Sequence, residues 1–338
     1  MEKKNNLENI KDVVNHAYGI NPISVSRFNL IFSKFTTTDH HFLVKTKKEI
    51  FFVKRYEISN LEKIKNEIRN INKVSNKINI PRIVKTKTKK NYFTASKNIF
   101  VLYQYINGKN LKEMRVSLPY FFNVICDIEK KFLKVKTSKQ IFYRFHSRIE
   151  RFETKAKKLL KILERNSSPL VIENKKYLKF LIKEVEEMKS KILALNIKQH
   201  FIHGDLLMQN IILDQKEVFW VVDWEKSHEY ITSIDILKSV LFTIFDPSKK
   251  NLNLNIKQMV KWSEYCFKRL PLENEELANV FDVYYFHFIT GIDFLEKVYI
   301  KKQSLNKKML HEDFLISKWL KRNKAKLQTN LNKILLIL

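Results

Sequence analysis

Glycine is scarce in this chain, four in 338 residues, beside six prolines and two cysteines. Composition of that kind excludes collagen-like and Gly/Pro low-complexity chains. The two cysteines, Cys126 and Cys266, are too few and too far apart for a disulfide framework or a CxxC metal site. Apolar runs are short, as in Ile334–Leu338, against the roughly 20 residues that span a bilayer. The amino terminus, Met1-Glu2-Lys3-Lys4-Asn5-Asn6, leads into no signal-type apolar segment, so the expectation is a soluble, cytoplasmic protein with no integral membrane association. Acidic charge is the minority: 35 Asp+Glu against 64 Lys+Arg, net +29. Such charge attracts anions. Only 11 of the cations are arginine, however, lysines run through the whole chain, and no zinc-finger, aromatic-platform or basic-arm pattern accompanies them, so no nucleic-acid partner is expected.

What is present is enough for a core. Hydrophobic residues make up 44% and aromatics 12%, which excludes disorder as the main state, and the length suits two domains or one domain in two lobes. Residues 24–32, 42–44, 50–56, 82–85 and 99–105 are rich in β-branched and aromatic residues and predict a small antiparallel sheet. Between the third and fourth, Leu61, Ile64, Ile68, Ile71 and Val74 recur at helical spacing, with Ser59 or Asn60 as the expected cap. After Gly108 the pattern turns to lysine-rich helices over about 118–137, 142–165 and 175–195. Strand-like runs at 210–213 and 218–222 interrupt them.

The most specific feature is His203-Gly204-Asp205-Leu206-Leu207-Met208-Gln209-Asn210, followed by a strand, a turn and Val221-Val222-Asp223-Trp224-Glu225. This pattern resembles the catalytic loop and metal-binding strand of the kinase-like phosphotransferases, in particular the aminoglycoside phosphotransferase and choline kinase families. Phosphoryl transfer needs a carboxylate beside the attacking hydroxyl, and oxygen ligands that hold Mg²⁺ on the phosphates. The resemblance implies that Asp205 is the catalytic base, that Asn210 and Asp223 are metal ligands, and that His203, Glu225 and Asp235 support them. It implies further that Lys54, on a predicted strand, holds the α- and β-phosphates, with Glu67 of the following helix as its partner and Glu62 as the fallback. Residues 99–111 look like the strand and hinge of the family, where adenine would meet backbone groups of Gln104 and Ile106.

The expected fold is thus α/β and two-lobed, kinase-like, with a small antiparallel-sheet lobe over residues 1–107, a hinge near 103–108, and a mostly helical lobe over 108–338. The expected activity is ATP- or GTP- and Mg²⁺-dependent phosphorylation of a small-molecule hydroxyl. Two departures from related kinases matter. The segment expected over the phosphates, Ser33-Lys34-Phe35-Thr36-Thr37-Thr38-Asp39, has no glycine. Only 11 residues separate Asp223 from Asp235, which leaves no room for a protein-kinase activation segment and favours a small acceptor over a protein.

For the acceptor, residues 272–296 carry six acids and no Lys or Arg. In a continuous helix Asp282, Tyr285, Ile289, Asp293 and Glu296 share one face. Carboxylates beside aromatic rings suit a cation, so a cationic acceptor such as an aminoglycoside, choline or another amino alcohol is expected, held by Asp282, Tyr285 and Asp293, with Trp262 as a further contact. The rivals are a kinase for a surface-glycan or lipid sugar and a non-catalytic nucleotide-binding scaffold.

Overall fold

The computed structural model describes residues 2–28, 41–137, 142–165, 168–245, 254–300 and 307–335. The expected phosphate-covering segment 33–39 lies outside them. The chain begins with a helix that the sequence reading passed over, α1 (Glu2–Tyr18). Its signal is plain in retrospect, because Ile10, Val13, Val14 and Ala17 are spaced by three and four, and all are buried. They pack with Phe42, Val44, Phe51, Val53, Phe100 and Leu102.

Those last six come from an antiparallel sheet of β1 (Ser24–Arg27), β2 (His41–Lys45), β3 (Ile50–Glu57), β4 (Phe93–Ala95) and β5 (Asn98–Gln104), in the order β1-β2-β3-β5-β4. Strand periodicity splits β3 between two faces: Phe51 and Val53 join the α1 cluster, and Lys54 and Tyr56 point to the other side. Helix α2 (Leu61–Val74) buries Ile64, Glu67, Ile68, Ile71 and Val74. Its expected cap is not made: neither Asn60 nor Ser59 caps it, and a 3₁₀ turn, Ile58–Asn60, runs straight into the helix. The strand expected at 82–85 is reduced to one bridge, Ile83 to Tyr103, since Pro81 supplies no N–H to extend a ladder.

The short strand β6 (Gly108–Asn110) precedes helices α3 (Leu118–Phe132), α4 (His146–Leu163) and α5 (Pro169–Leu193). Pro169 opens α5, six residues before the expected start, in the position where a missing N–H is harmless. Strands β7 (His200–Ile202), β8 (Ile211–Asp214), β9 (Phe219–Val221) and β10 (His228–Tyr230) follow, then α6 (Thr232–Ile244), α7 (Ile256–Phe267), α8 (Asn274–Ile289), α9 (Asp293–Tyr299) and α10 (Lys307–Leu335).

The chain divides into two compact units, Met1–Ser117 with Met208–Ser227, and Leu118–Leu207 with His228–Leu338. The β8–β9 hairpin therefore belongs with the first unit, where β6 pairs with β8. Gly108 permits that pairing: a Cβ there would stand 2.3 Å from the Leu213 carbonyl oxygen. In the second unit β7 pairs with β10, α6 packs on α7 and α8, and α10 lies along both α7 and α8.

Candidate active site

In the first unit, Lys54 is buried on β3. Its ammonium donates to Asp223 Oδ1 at 2.9 Å and to Glu225 Oε1 at 3.2 Å. Burial opposes the charge, but Asp223, Tyr56, Glu225 and Glu67 outweigh it and hold the amine protonated well above the ordinary lysine range. Glu67 is not the hydrogen-bonded partner it was expected to be. It accepts instead from the hydroxyls of Tyr56 and Tyr103, at 3.3 Å each, and acts on Lys54 only through longer-range charge. Burial raises the Glu67 carboxyl to about 7 against the pull of Lys54, whereas Glu225 is held down at about 2, by Lys54 first, against burial, and by Lys63. The difference is geometric: Glu225 bonds directly to two ammonium groups, Lys54 at 3.2 Å and Lys63 at 3.3 Å, whereas the hydrogen bonds to Glu67 come from neutral hydroxyls. Glu62, the fallback partner, is exposed and pairs with Lys65.

The turn that carries Asp223 is braced on several sides. Asp223 itself adopts a left-handed conformation, φ 66° and ψ 62°, one that aspartate tolerates better than most residues. Trp224 Nε1 donates to the Val221 carbonyl at 2.9 Å, and Asn70 of α2 donates to the Ser227 carbonyl at 2.7 Å. The buried Asn210 accepts the Val222 N–H at its own carbonyl, 3.0 Å away, so the β8–β9 hairpin joins the two expected metal ligands by backbone. At the expected hinge the Gln104 N–H is already given to the Arg82 carbonyl at 2.8 Å.

In the second unit, the loop from His203 to Leu207 is held from α6. Asp235 Oδ2 accepts the backbone N–H groups of both His203 and Gly204 at 2.9 Å. Gly204 has φ +78°, a conformation that a side chain would strain. His203 is fully buried. Behind Asp235 sits Glu129 of α3, also fully buried, with no donor to either carboxylate oxygen among the described residues; Asp235 Oδ1 lacks one as well. Burial first, then the charge of Asp235, holds Glu129 protonated well above the carboxylate range, and the proton it keeps is the donor that Asp235 Oδ1 needs. Sequence reasoning missed Glu129, because nothing local marks it. It also missed Lys238, which pairs with Asp205 Oδ1 at 2.7 Å.

The expected acceptor residues are not brought together. The helix ends at Ile289 and a new one starts at Asp293, separated by Thr290-Gly291-Ile292, so Asp293 and Glu296 belong to a different helix from Asp282, Tyr285 and Ile289. Asp282 is neutralised within the fold by Lys191 at 2.5 Å and by Lys324. Tyr285 is wholly buried and donates to Glu184 at 2.8 Å. Asp293 pairs with Lys155 of α4 at 2.9 Å, and Trp262 is buried against Phe122, ring centroids 5.0 Å apart. These residues serve packing between helices; the local excess of acid is matched by lysines distant in sequence.

Residues 37–258 match the model of the APH phosphotransferase enzyme family. The chain belongs to that family. It is therefore a small-molecule kinase with an alcohol group as acceptor. No curated protein sequence matches it as a relative. Among solved structures it is similar to the choline kinase LicA from Streptococcus pneumoniae, at 14% identity and TM-score 0.59, covering 95% of this chain and 98% of that one. It is also similar to a spectinomycin phosphotransferase in complex with ADP and spectinomycin, at 13% identity and TM-score 0.56, covering 95% and 97%. A third is amicoumacin kinase in complex with AMP-PNP and Ca²⁺, at 12% identity and TM-score 0.58, covering 97% and 95%. These likenesses establish the kinase-like α/β fold. Among the described residues no helix is long and apolar enough to cross a membrane.

Proposed function

We propose that this kinase transfers the γ-phosphoryl group of ATP or GTP, with Mg²⁺, to the hydroxyl of an amino alcohol or amino sugar. The observation that carries the reading is the Lys54–Asp223–Glu225 network, a buried ammonium kept charged by two carboxylates. A protein without phosphate chemistry to perform gains little from burying such a group, because desolvation offsets most of the attraction. Lys54 would bind the donor phosphates, with Lys63 and Glu225 setting its position. Asn210 and Asp223 offer an amide oxygen and a carboxylate, a hard all-oxygen set that fits a magnesium ion whose remaining ligands are phosphate and water. When bound, the metal supplies charge neutralisation on the phosphates.

Asp205 would orient the acceptor hydroxyl and receive its proton at a carboxylate oxygen, held by a loop that Asp235 fixes at two backbone amides. Catalysis is then mostly positioning and charge complementarity. At the hinge, the Gln104 carbonyl rather than its N–H would meet a purine amino group, and the Ile106 N–H would supply the second contact. The acceptor class rests on the similar structures, named for choline and spectinomycin.

The test is transfer from MgATP and MgGTP to a panel of aminoglycosides, choline, ethanolamine, amino alcohols and neutral sugars, with Asp205→Asn beside wild type. Phosphorylation of one amine-bearing class, lost in the variant, is expected. Transfer confined to neutral sugars would overturn the acceptor class, and undiminished transfer by Asp205→Asn would overturn the base.

A further inference from the structure

On α6, Lys238 follows Asp235 by three residues, so the two side chains leave the same face of the helix. Asp235 takes the N–H groups of His203 and Gly204. One turn on, Lys238 donates to the Gly204 carbonyl at 2.6 Å and pairs with Asp205 Oδ1 at 2.7 Å. The side chains of Lys238 and Asp205 are only 20% and 16% exposed. An exposed lysine–carboxylate pair is worth little, because two long side chains must be ordered for it. Here the ammonium is held by two acceptors from adjacent residues, and the carboxylate is fixed in return.

The contact bridges a glycine. Gly204 lies in the left-handed region immediately before Asp205, where glycine gives the backbone more freedom than any other residue. Lys238 bonds to the carbonyl of that glycine and to the side chain that follows, so it ties the two together. Around it, His287 of α8 is kept neutral by burial first and then by the charges of Arg148, Lys238 and His228, and adds no competing cation.

We propose that Lys238 is a positioning residue for Asp205, tying its carboxylate to the Gly204 carbonyl and setting the direction in which the carboxylate is presented to the acceptor hydroxyl. This rests on Asp205 being the base. A cation bonded to a base weakens it, which would be harmful where proton removal limits the rate. In phosphoryl transfer, orientation counts for more than basicity, and the trade favours the lysine.

The experiment measures MgATP turnover by the full chain with water as acceptor, for wild type, Lys238→Met, Lys238→Arg, Asp205→Asn and, as a control, Lys183→Met on the exposed face of α5. Misplacing a catalytic group by about 1 Å is worth on the order of 100-fold. Lys238→Met is thus expected to lower kcat by about 10- to 100-fold with the KM for MgATP unchanged, a split that marks positioning rather than ground-state binding. Lys238→Arg is expected to recover most of the loss, and Lys183→Met to match wild type. Wild-type kcat in Lys238→Met beside an inactive Asp205→Asn overturns this proposal alone; wild-type kcat in Asp205→Asn overturns the base assignment and this proposal with it. If Lys238→Met lacks the native melting transition, Lys238→Gln, which keeps a donor for the Gly204 carbonyl, is held to the same criterion. Independently of turnover, the Lys238 ammonium is expected to give a ¹⁵N–¹H correlation protected from water exchange in wild type and lost in Asp205→Asn; its absence in wild type overturns the clamp.

Discussion

Glu276 shows how burial, rather than charge pairing, sets the behaviour of single residues here. Its carboxylate accepts the Ser233 N–H at 2.8 Å, one of the unpaired donors at the start of α6, yet burial raises it to about 7 against that hydrogen bond. A group raised in the folded state gives its full stability below the unfolded value of 4.5 and loses it as pH rises toward 7. Glu276→Gln keeps the acceptor oxygen without the charge. It is expected to match wild type near pH 4.5 and to exceed it at pH 8 by up to roughly 3 kcal/mol, read by urea denaturation. The opposite case is Lys54, where partners win over burial. Lys54→Met removes the cation and leaves Asp223 and Glu225 repelling one another. Its kcat/KM for the donor nucleotide is expected to fall by about 10²- to 10³-fold, the usual loss when one preorganised donor is removed from a charged transition state.

Among elements, the β6–β8–β9 sheet is the most exacting. Alanine at position 108 would bring Cβ to 2.3 Å from the Leu213 carbonyl and 2.8 Å from an Ile212 methyl, so β6 must move off β8. Gly108→Ala is expected to cost about 1–3 kcal/mol, as overpacking does, seen as a lowered melting temperature. Elements with strong local pattern were legible in the sequence: α2 from its apolar stripe, β3 and β5 from their β-branched runs, and the hairpin from the motif that frames it. The misreadings have causes of two kinds. At 82–85 the composition suits a strand, but the proline that precedes it has no N–H to extend the ladder, and one bridge remains. At 290–292 a threonine and a glycine end α8, and a helical wheel drawn across that break places Asp282 and Asp293 together when they belong to different helices.

At the scale of the molecule, charge and the two compact units matter most. A net +29 means that self-repulsion opposes the compact state, and salt screens it over about a 10 Å Debye length at 0.1 M. Raising NaCl from 50 to 500 mM is therefore expected to raise the melting temperature, even though the exposed ion pairs weaken, since each of those is worth little. A fall in melting temperature would show that the ion pairs outweigh the repulsion.

The sequence by itself determined the order of chemical groups along the chain: Lys54, then His203-Gly204-Asp205, Asn210 and Asp223-Trp224-Glu225. Those are short segments whose meaning lies in their spacing, and spacing survives without coordinates. Only the tertiary structure decided who neutralises whom. Lys54 bonds to Asp223 and Glu225 rather than Glu67, Lys191 and Lys324 take up Asp282, and Lys238 clamps Asp205. With lysine available at nearly every turn of sequence, pairing depends on distances of a few ångströms and on burial, which falls off too steeply for any one-dimensional pattern to record.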